Sequence, residues 1–445
     1  MGTLRVRRLV VGLVPQAGGR EGGWGGGREG GREGGGGESQ WEGGGGALAM
    51  LDASTGVGAP GKWAGARAVR RKGPPRGRRA PPRCVGETGR EHALARLEAL
   101  ASARTTLAFD DVLLVPRHSA IESRKDIDLT CDLGGGLVLA LPVVAAPMDT
   151  VCEGKMAAEV ARLGGLGIVH RYNPPEVQAA HVRAAVEAGA VHVGAAVGVS
   201  GDFMERAERV VDAGGDVIVV DVAHGHHALV AAALRRLREG LGSSVHIMAG
   251  NVATREGVDF LADAGADSAR VGIGGGSICS TRIQTGHGVP TLQSVLDSAG
   301  SASGLPVVAD GGIRTSGDVC KALAAGARAI MVGSMLAGTD ESPGDVLQSD
   351  GADGRKYKIY RGMASIEAQV AWRGHAASVE GVASTVPYKG SVEGILAGIE
   401  RGLRSGMSYS GCTSLPEFTQ EARIVRISSS GMAESRTHIN DRNPW

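Results

Sequence analysis

Eight short runs of β-branched and small apolar residues recur along the chain, each followed by a segment with helical apolar spacing. The runs are LPVVAAP (141–147), LGIVH (166–170), VHVGAAVG (191–198), VIVVDVA (217–223), VHIMAGN (245–251), SARVGIG (268–274), LPVVADG (305–311) and ARAIMVG (327–333). The intervening segments include PEVQAAHVRAAVEAG, ALVAAALRRLREG, TREGVDFLADAG and GDVCKALAAG. Pro or Thr often opens them and Gly closes them, as helix boundaries require. The runs are apolar throughout rather than alternating, which is the pattern of strands covered on both faces of a parallel sheet. Eight such beats predict an α/β protein built as a closed (β/α)8 TIM barrel rather than an open doubly wound sheet. No GxGxxG follows the first run, which further disfavours a dinucleotide-binding open sheet.

Composition agrees. The 445 residues include 73 Gly and only 3% aromatics, so the core must rest on Ala, Val, Ile and Leu at close backbone approach. So few rings argue against modules that stack nucleic-acid bases. No apolar run reaches the ~18 residues of a membrane span, so a soluble chain without a membrane partner is expected. Residues 1–93 hold 16 Lys and Arg against 8 Asp and Glu, a net of +8; the whole chain carries +1, so the remainder carries −7. A mildly acidic body does not suit a general nucleic-acid binder.

The first 93 residues read as a low-complexity extension outside the fold. They pass from a Gly-rich stretch with a repeated GREGG flavour to RKGPPRGRRAPPR, neither with apolar periodicity. Such sequence buries too little surface to offset the entropy of ordering. The opening MGTLRVRRLVVGLV is basic and free of acids, which fits an organelle-targeting leader; a plain disordered extension or an upstream start codon fits as well. Glu interrupts the Arg positions, which weakens an RGG-like RNA contact. The six cysteines form no CxxC pair, and in a chain this long they read as reduced thiols of an intracellular, cytoplasmic protein.

In such a barrel the chemistry sits at the carboxyl ends of the strands. Those ends read APMDT (146–150), DVAHGHH (221–227), AGN (249–251), GIGGGSICSTR (272–282), DGGIR (310–314) and GSMLAG (333–338), followed by an excursion containing KIYRGMAS (358–365). Three consecutive glycines allow backbone groups to converge before Cys279, which stands on a loop where a thiol becomes an activated nucleophile. Thr281, two residues on, is placed to shuttle a proton. Cys84, Cys131, Cys320 and Cys412 read instead as buried small hydrophobes. The DGGIR and VGS segments match the place where barrels bind phosphate, and Asp310 suits ribose hydroxyls. His224, His226 and His227 cluster after Asp221, but no further ligand at metal spacing supports a zinc site.

Together with LAFDDVLLVP (107–116), SRKDIDL (123–129), AGNVAT and VGSMLAGTDESPG, these segments resemble the IMP dehydrogenase/GMP reductase family, in its order and spacing, over about residues 95–440. The resemblance implies a barrel over residues 94–445 with a short flap at about 359–390 and a tail at about 428–440, assembled as a homotetramer. It implies a purine nucleoside 5′-monophosphate substrate beside NAD or NADP. Cys279 would form a covalent thioimidate at purine C2, with Thr281 and Glu380 handling protons. Asp310, Gly311, Gly312, Gly333 and Ser334 would hold the ribose and phosphate, Ser277 would also contact the nucleotide, and Tyr360, Gly362 and Met363 would close over it, faced by Met148. Asp221, Asn251, Gly272 and Gly274 would contact the cofactor. The carbonyls of Gly274, Gly276 and Cys279 would bind K+, completed by Glu434 and Ser435 of a neighbouring subunit.

Two reactions share that intermediate. The dehydrogenase oxidises IMP with NAD and water to XMP; the reductase converts GMP with NADPH to IMP and ammonia. Here IVHRYNPPEVQ runs straight on to VEAGAVHVGAAVGV, with no inserted CBS domain. Within the flap, GMASIEAQVAWRGHAASVEG (362–381) lacks the Arg-Tyr pair with which dehydrogenases activate water, its one arginine being Arg373, and TRIQTGHGVP is closer to reductases. AHGHH and the ESRTHI tail are closer to dehydrogenases; Arg171 stands where reductases carry Lys, and Ala377 where a cofactor-contacting Arg is expected. Water activation by a general base is worth about 10²–10⁴-fold, so the flap weighs most and GMP reductase is the expectation, IMP dehydrogenase the alternative. A non-catalytic nucleotide-sensing paralogue is the second alternative, although it would not need an intact Cys279. A chain starting near Leu94 is expected to keep both melting temperature and turnover, which calorimetry and a steady-state assay check.

Overall fold

All eight apolar runs become strands of one closed parallel barrel. They are β1 (Val143–Ala145), β2 (Leu166–Val169), β3 (Val193–Val197), β4 (Val217–Asp221), β5 (His246–Val252), β6 (Ser268–Val271), β7 (Val307–Asp310) and β8 (Ala329–Val332). The computed structural model describes residues 105–349 and 354–435, with Arg96 and Ala103. The basic leader, the Gly/Arg-rich extension, Cys84 and the tail beyond Ser435 lie outside the described residues. Spatial order follows chain order, and β8 closes on β1 through Met331 opposite Val144. Every residue of β2 and β3 is buried, which is why the runs show no polar alternation.

Helices return each strand to the next: α1 (Gly154–Arg162), α2 (Pro175–Glu187), α3 (Phe203–Asp212), α4 (Ala228–Leu241), α5 (Arg255–Asp263), α6 (Thr281–Thr285), α7 (Thr291–Ser298) and α8 (Ser316–Ala324). Two threonines act as caps. Thr254 Oγ1 accepts from Gly257 N and Thr315 Oγ1 from Asp318 N, both at 3.2 Å, satisfying amides that a helix start leaves orphaned. At the amino ends of the strands a hairpin (Cys131–Asp132 with Val138–Leu139) covers the barrel floor, where His246 of β5 donates through Nδ1 to Gly134 O at 3.0 Å. Strand Val112–Val115 pairs antiparallel with Arg423–Arg426, tying the two ends of the described domain together.

After β8 the chain leaves the barrel and builds a three-stranded antiparallel sheet, β9 (Leu347–Gln348), β10 (Lys356–Arg361) and β11 (Ala383–Pro387), with α9 (Ile366–Arg373) between the last two. This excursion starts earlier than the flap read from sequence, because Tyr357 pairs with both Pro387 and Leu347. Lys358 is buried within it. Its Nζ donates to Thr339 O (3.0 Å) and Ser342 O (2.6 Å), anchoring β10 to the loop leaving β8. Helices α10 (Val392–Ser410) and α11 (Leu415–Glu421) then pack back on α8.

Four cysteines are small core hydrophobes. Burial pushes the Cys131 and Cys320 thiols up to about 12, and those of Cys152 and Cys412 are raised by the same cause. The core tolerates no void: Ile247, fully buried in β5 beside Ile218 of β4, is expected to cost about 2–5 kcal/mol when truncated to Ala. Urea unfolding of Ile247→Ala measures it.

Candidate active site

The carboxyl ends of the strands open into a cleft of about 530 Å³, within the ~300–1,000 Å³ range of small-molecule sites. Eighteen residues singled out from the sequence line it. Cys279, Thr281, Glu380, Met148, Ser277, Asp310, Gly311, Gly312, Gly333, Ser334, Tyr360, Gly362, Met363, Asp221, Asn251, Gly272, Gly274 and Gly276 all contribute to its walls. Glu434 and Ser435 do not. They end the exposed helix α12 (Ser429–Glu434), where Ser435 Oγ bonds Gly431 O at 2.8 Å.

Cys279 owes its place to two glycine loops stacked on each other. The loop after β6 lies on the loop after β7 so closely that a Cβ on Gly311 would come within 3.0 Å of Gly276 N. Gly311 also has φ +92°, a conformation that L side chains avoid. From this platform Cys279 stands half-buried, its thiol donating to Thr281 Oγ1 at 3.2 Å. The flap completes the wall: Gly381 bridges antiparallel to Cys279, and Ser280 N donates to Glu380 O at 2.8 Å. The Glu380 carboxylate accepts from Ser378 Oγ at 3.1 Å. Thiol, hydroxyl and carboxylate thus share one wall, the equipment for covalent attack with proton transfer.

At the end of β8, Gly333 leaves the space that a ligand would use. A Cβ there would lie 3.1 Å from Met148 Sδ and 3.2 Å from the Tyr360 hydroxyl. Tyr360 is buried, which raises its pKa and keeps the phenol protonated, and it hydrogen-bonds Ser277. Behind it Arg361 clamps Asp149 Oδ2 through Nε (2.9 Å) and Nη2 (2.6 Å), fixing the YRGM segment to the loop after β1.

β4 stands directly across the barrel from β8, so Asp221 faces Gly333 and Ser334 from the far rim. Between them runs a chain of charge. Arg171 Nη2 donates to Asp221 O at 3.2 Å; Arg270 joins Asp221 Oδ1 (2.6 Å) to Asp310 Oδ2 (2.9 Å); Asn251 Nδ2 donates to the same Asp310 oxygen at 2.7 Å. Burial alone would lower the Arg270 pKa, but Asp310 and Asp221 outweigh it and the guanidinium stays charged. On this rim Arg171 Nε lies 3.7 Å from Asp221 Oδ2, and Arg270 Nε is buried without a hydrogen-bond partner. A lobe with two carboxylates, a guanidinium between them and an aromatic wall fits a dinucleotide.

That wall is the flap helix. Trp372 of α9 stacks on Tyr172 at 6.0 Å and 18°. Buried Gln369 is fully engaged: its amide donates to Ala364 O and Ser378 O, while Oε1 accepts from Ala377 N and Arg373 Nη2. Sequence reading had passed over Arg270, Tyr172, Gln369, Trp372 and the Asp149–Arg361 clamp. A charge inside an otherwise apolar strand was the signal for Arg270. The histidines take local roles: His227 Nδ1 caps α4 by accepting from Leu229 N, and His226 packs on Phe260 at 4.7 Å.

Filling the space beside Gly333 is expected to weaken nucleotide binding. A steric misfit of about 1.4 kcal/mol in the bound state is tenfold in affinity, so Gly333→Ala should raise the Kd for a purine nucleoside monophosphate by roughly tenfold, read by titration calorimetry.

Comparison with known proteins converges on one group. Residues 106–438 match the IMP dehydrogenase / GMP reductase domain. The inosine-5′-monophosphate dehydrogenase of Nitrosopumilus maritimus is 34% identical, over 75% of this chain and 98% of its own length. The GMP reductase of Leishmania major is 35% identical, over 78% and 99%. A solved structure of a Cys-to-Ala variant of GMP reductase from Trypanosoma brucei, in complex with guanosine 5′-monophosphate, superposes with a TM-score of 0.72 at 34% identity, covering 76% of this chain and 99% of that one. Barrel, loop cysteine and the extent of matching sequence lead to one conclusion: this chain belongs to the IMP dehydrogenase/GMP reductase family of NAD(P)-dependent oxidoreductases.

Proposed function

We propose that this chain is a GMP reductase, converting GMP and NADPH to IMP, ammonia and NADP. The observation that carries the reading is the flap. Its helix is held over the cleft by the Trp372–Tyr172 stack and by Gln369, and the Arg373 guanidinium is engaged with Gln369. Oxidation of IMP requires hydrolysis of the covalent intermediate, hence a base for water. Reduction of GMP has no such step.

In this reading Gly311, Gly312, Gly333 and Ser334 hold the phosphate, Asp310 the ribose, and Ser277, Tyr360, Gly362, Met363 and Met148 the base. Cys279 Sγ bonds to purine C2 and the C2–amino bond breaks. Thr281 and Glu380 deliver the proton with which nitrogen departs as ammonia. Asp221, Asn251, Gly272 and Gly274 would hold the dinucleotide, whose chemistry would be to supply a hydride for C2. The C2–S bond then breaks, its electron pair returning to Cys279, and IMP is free to leave. Gly274, Gly276 and Cys279 offer carbonyls to K+, whose role would be to brace the loop. Glu434 and Ser435, which do not line their own cleft, suit completing that site in a second copy, in keeping with a homotetramer. The five described cysteines are unpaired, and no described helix is long and apolar enough to cross a membrane; a cytoplasmic site of action is our reading.

IMP dehydrogenase is the second reading, favoured by Arg171 at the rim in place of a lysine. Incubation of the purified protein with GMP plus NADPH, and separately with IMP plus NAD, decides between them by nicotinamide absorbance. Oxidation of NADPH with GMP is expected; faster turnover of IMP with NAD overturns the proposal. Cys279→Ser should abolish turnover while nucleotide still binds. Glu380→Gln should slow GMP reduction by roughly 10²-fold, the usual magnitude for removing an acid–base group.

A further inference from the structure

Arg270 is a charge where the barrel has little reason to keep one. Its neighbours in β6, Ser268, Ala269 and Val271, are wholly buried, and its own side chain is only 7% exposed. The fork of its guanidinium is divided: Nη1 goes to Asp221 on β4 and Nη2 to Asp310 on β7. Each carboxylate is about four-fifths buried and keeps an edge in the cleft. Asn251 ties the Asp310 end to Gly272 O at 2.8 Å, and Arg171 closes the Asp221 end at 3.7 Å. One rigid, planar group therefore touches a carboxylate in each half of the site.

We infer that Arg270 is a positioning residue that couples the two halves of the cleft, so that nucleotide and dinucleotide bind cooperatively through it. This rests on the reading that both ligands occupy the cleft together. A ligand that orders Asp310 fixes one arm of the guanidinium, and planarity then fixes the arm on Asp221. The second ligand meets a carboxylate already oriented and loses less freedom on binding. The coupling is reciprocal, as linkage demands. Lysine keeps the charge but presents a point rather than a fork, so it serves one carboxylate well or both poorly.

The test uses the full chain in a Cys279→Ala background, which binds without turnover. Titration calorimetry measures the Kd of GMP with and without saturating NADPH, and of IMP with and without NAD. The background should show at least about fivefold tighter binding of the first ligand when the second is present, the lower end of ordinary coupling. Adding Arg270→Lys should bring that ratio to near one at an unchanged melting temperature, whatever happens to the individual affinities; Arg270→Met should do the same if it folds. A ratio that survives in Arg270→Lys, or the absence of any ratio in the background, overturns the inference. If coupling appears for IMP with NAD and not for GMP with NADPH, yet still depends on Arg270, the reductase reading fails and the positioning role stands.

Discussion

Backbone packed directly on backbone underlies the working end of this barrel. Parallel closure makes β6 and β7 neighbours, and the loops that leave them turn over the same patch of rim. They approach so closely that a Cβ on Gly272 would fall 1.9 Å from Asp310 O, well inside any allowed contact. Any side chain at Gly272 would force the two loops apart. The cysteine loop and the carboxylate loop are therefore packed backbone on backbone, and Cys279, which precedes the short helix α6, is placed by that contact. The flap then adds to a surface that is already set.

Much of the fold was legible because the barrel imposes a period that sequence displays. Strands buried on both faces must be apolar without interruption, and the helices between them need caps that only a few residue types supply. Thr254 and Thr315 could be read before any geometry was known. Cys279 was legible for a similar reason, since three glycines before a cysteine serve no helix or strand. Direct contacts between distant segments were not legible. Arg270 lies 49 residues from Asp221 and 40 from Asp310, and no local pattern says that two carboxylates will meet it. Tyr172 and Trp372 are farther apart still, joined only because β2 and the flap end over the same opening. Gln369 is an ordinary surface residue of a helix until that helix is laid on the barrel.

The cysteines show how one residue type divides by environment. Those in the core are held protonated by the cost of charging a buried sulfur, so at neutral pH they remain inert packing groups. Cys279 has a hydroxyl neighbour, a loop backbone and access to the cleft. Burial of the other four leaves Cys279 as the one described cysteine whose side chain opens on the cleft.

The scarcity of aromatic side chains gives the Trp372–Tyr172 stack a value beyond closure. Of five tryptophans in the chain, Trp372 alone falls within the described residues, and it lines the cleft. Its indole stacks on the Tyr172 ring, so its emission depends on what lies beside the flap helix. The other four tryptophans of the chain emit as well, so ligand arrival at the flap is read as the difference between the emission of the native chain and that of Trp372→Phe, without an attached dye.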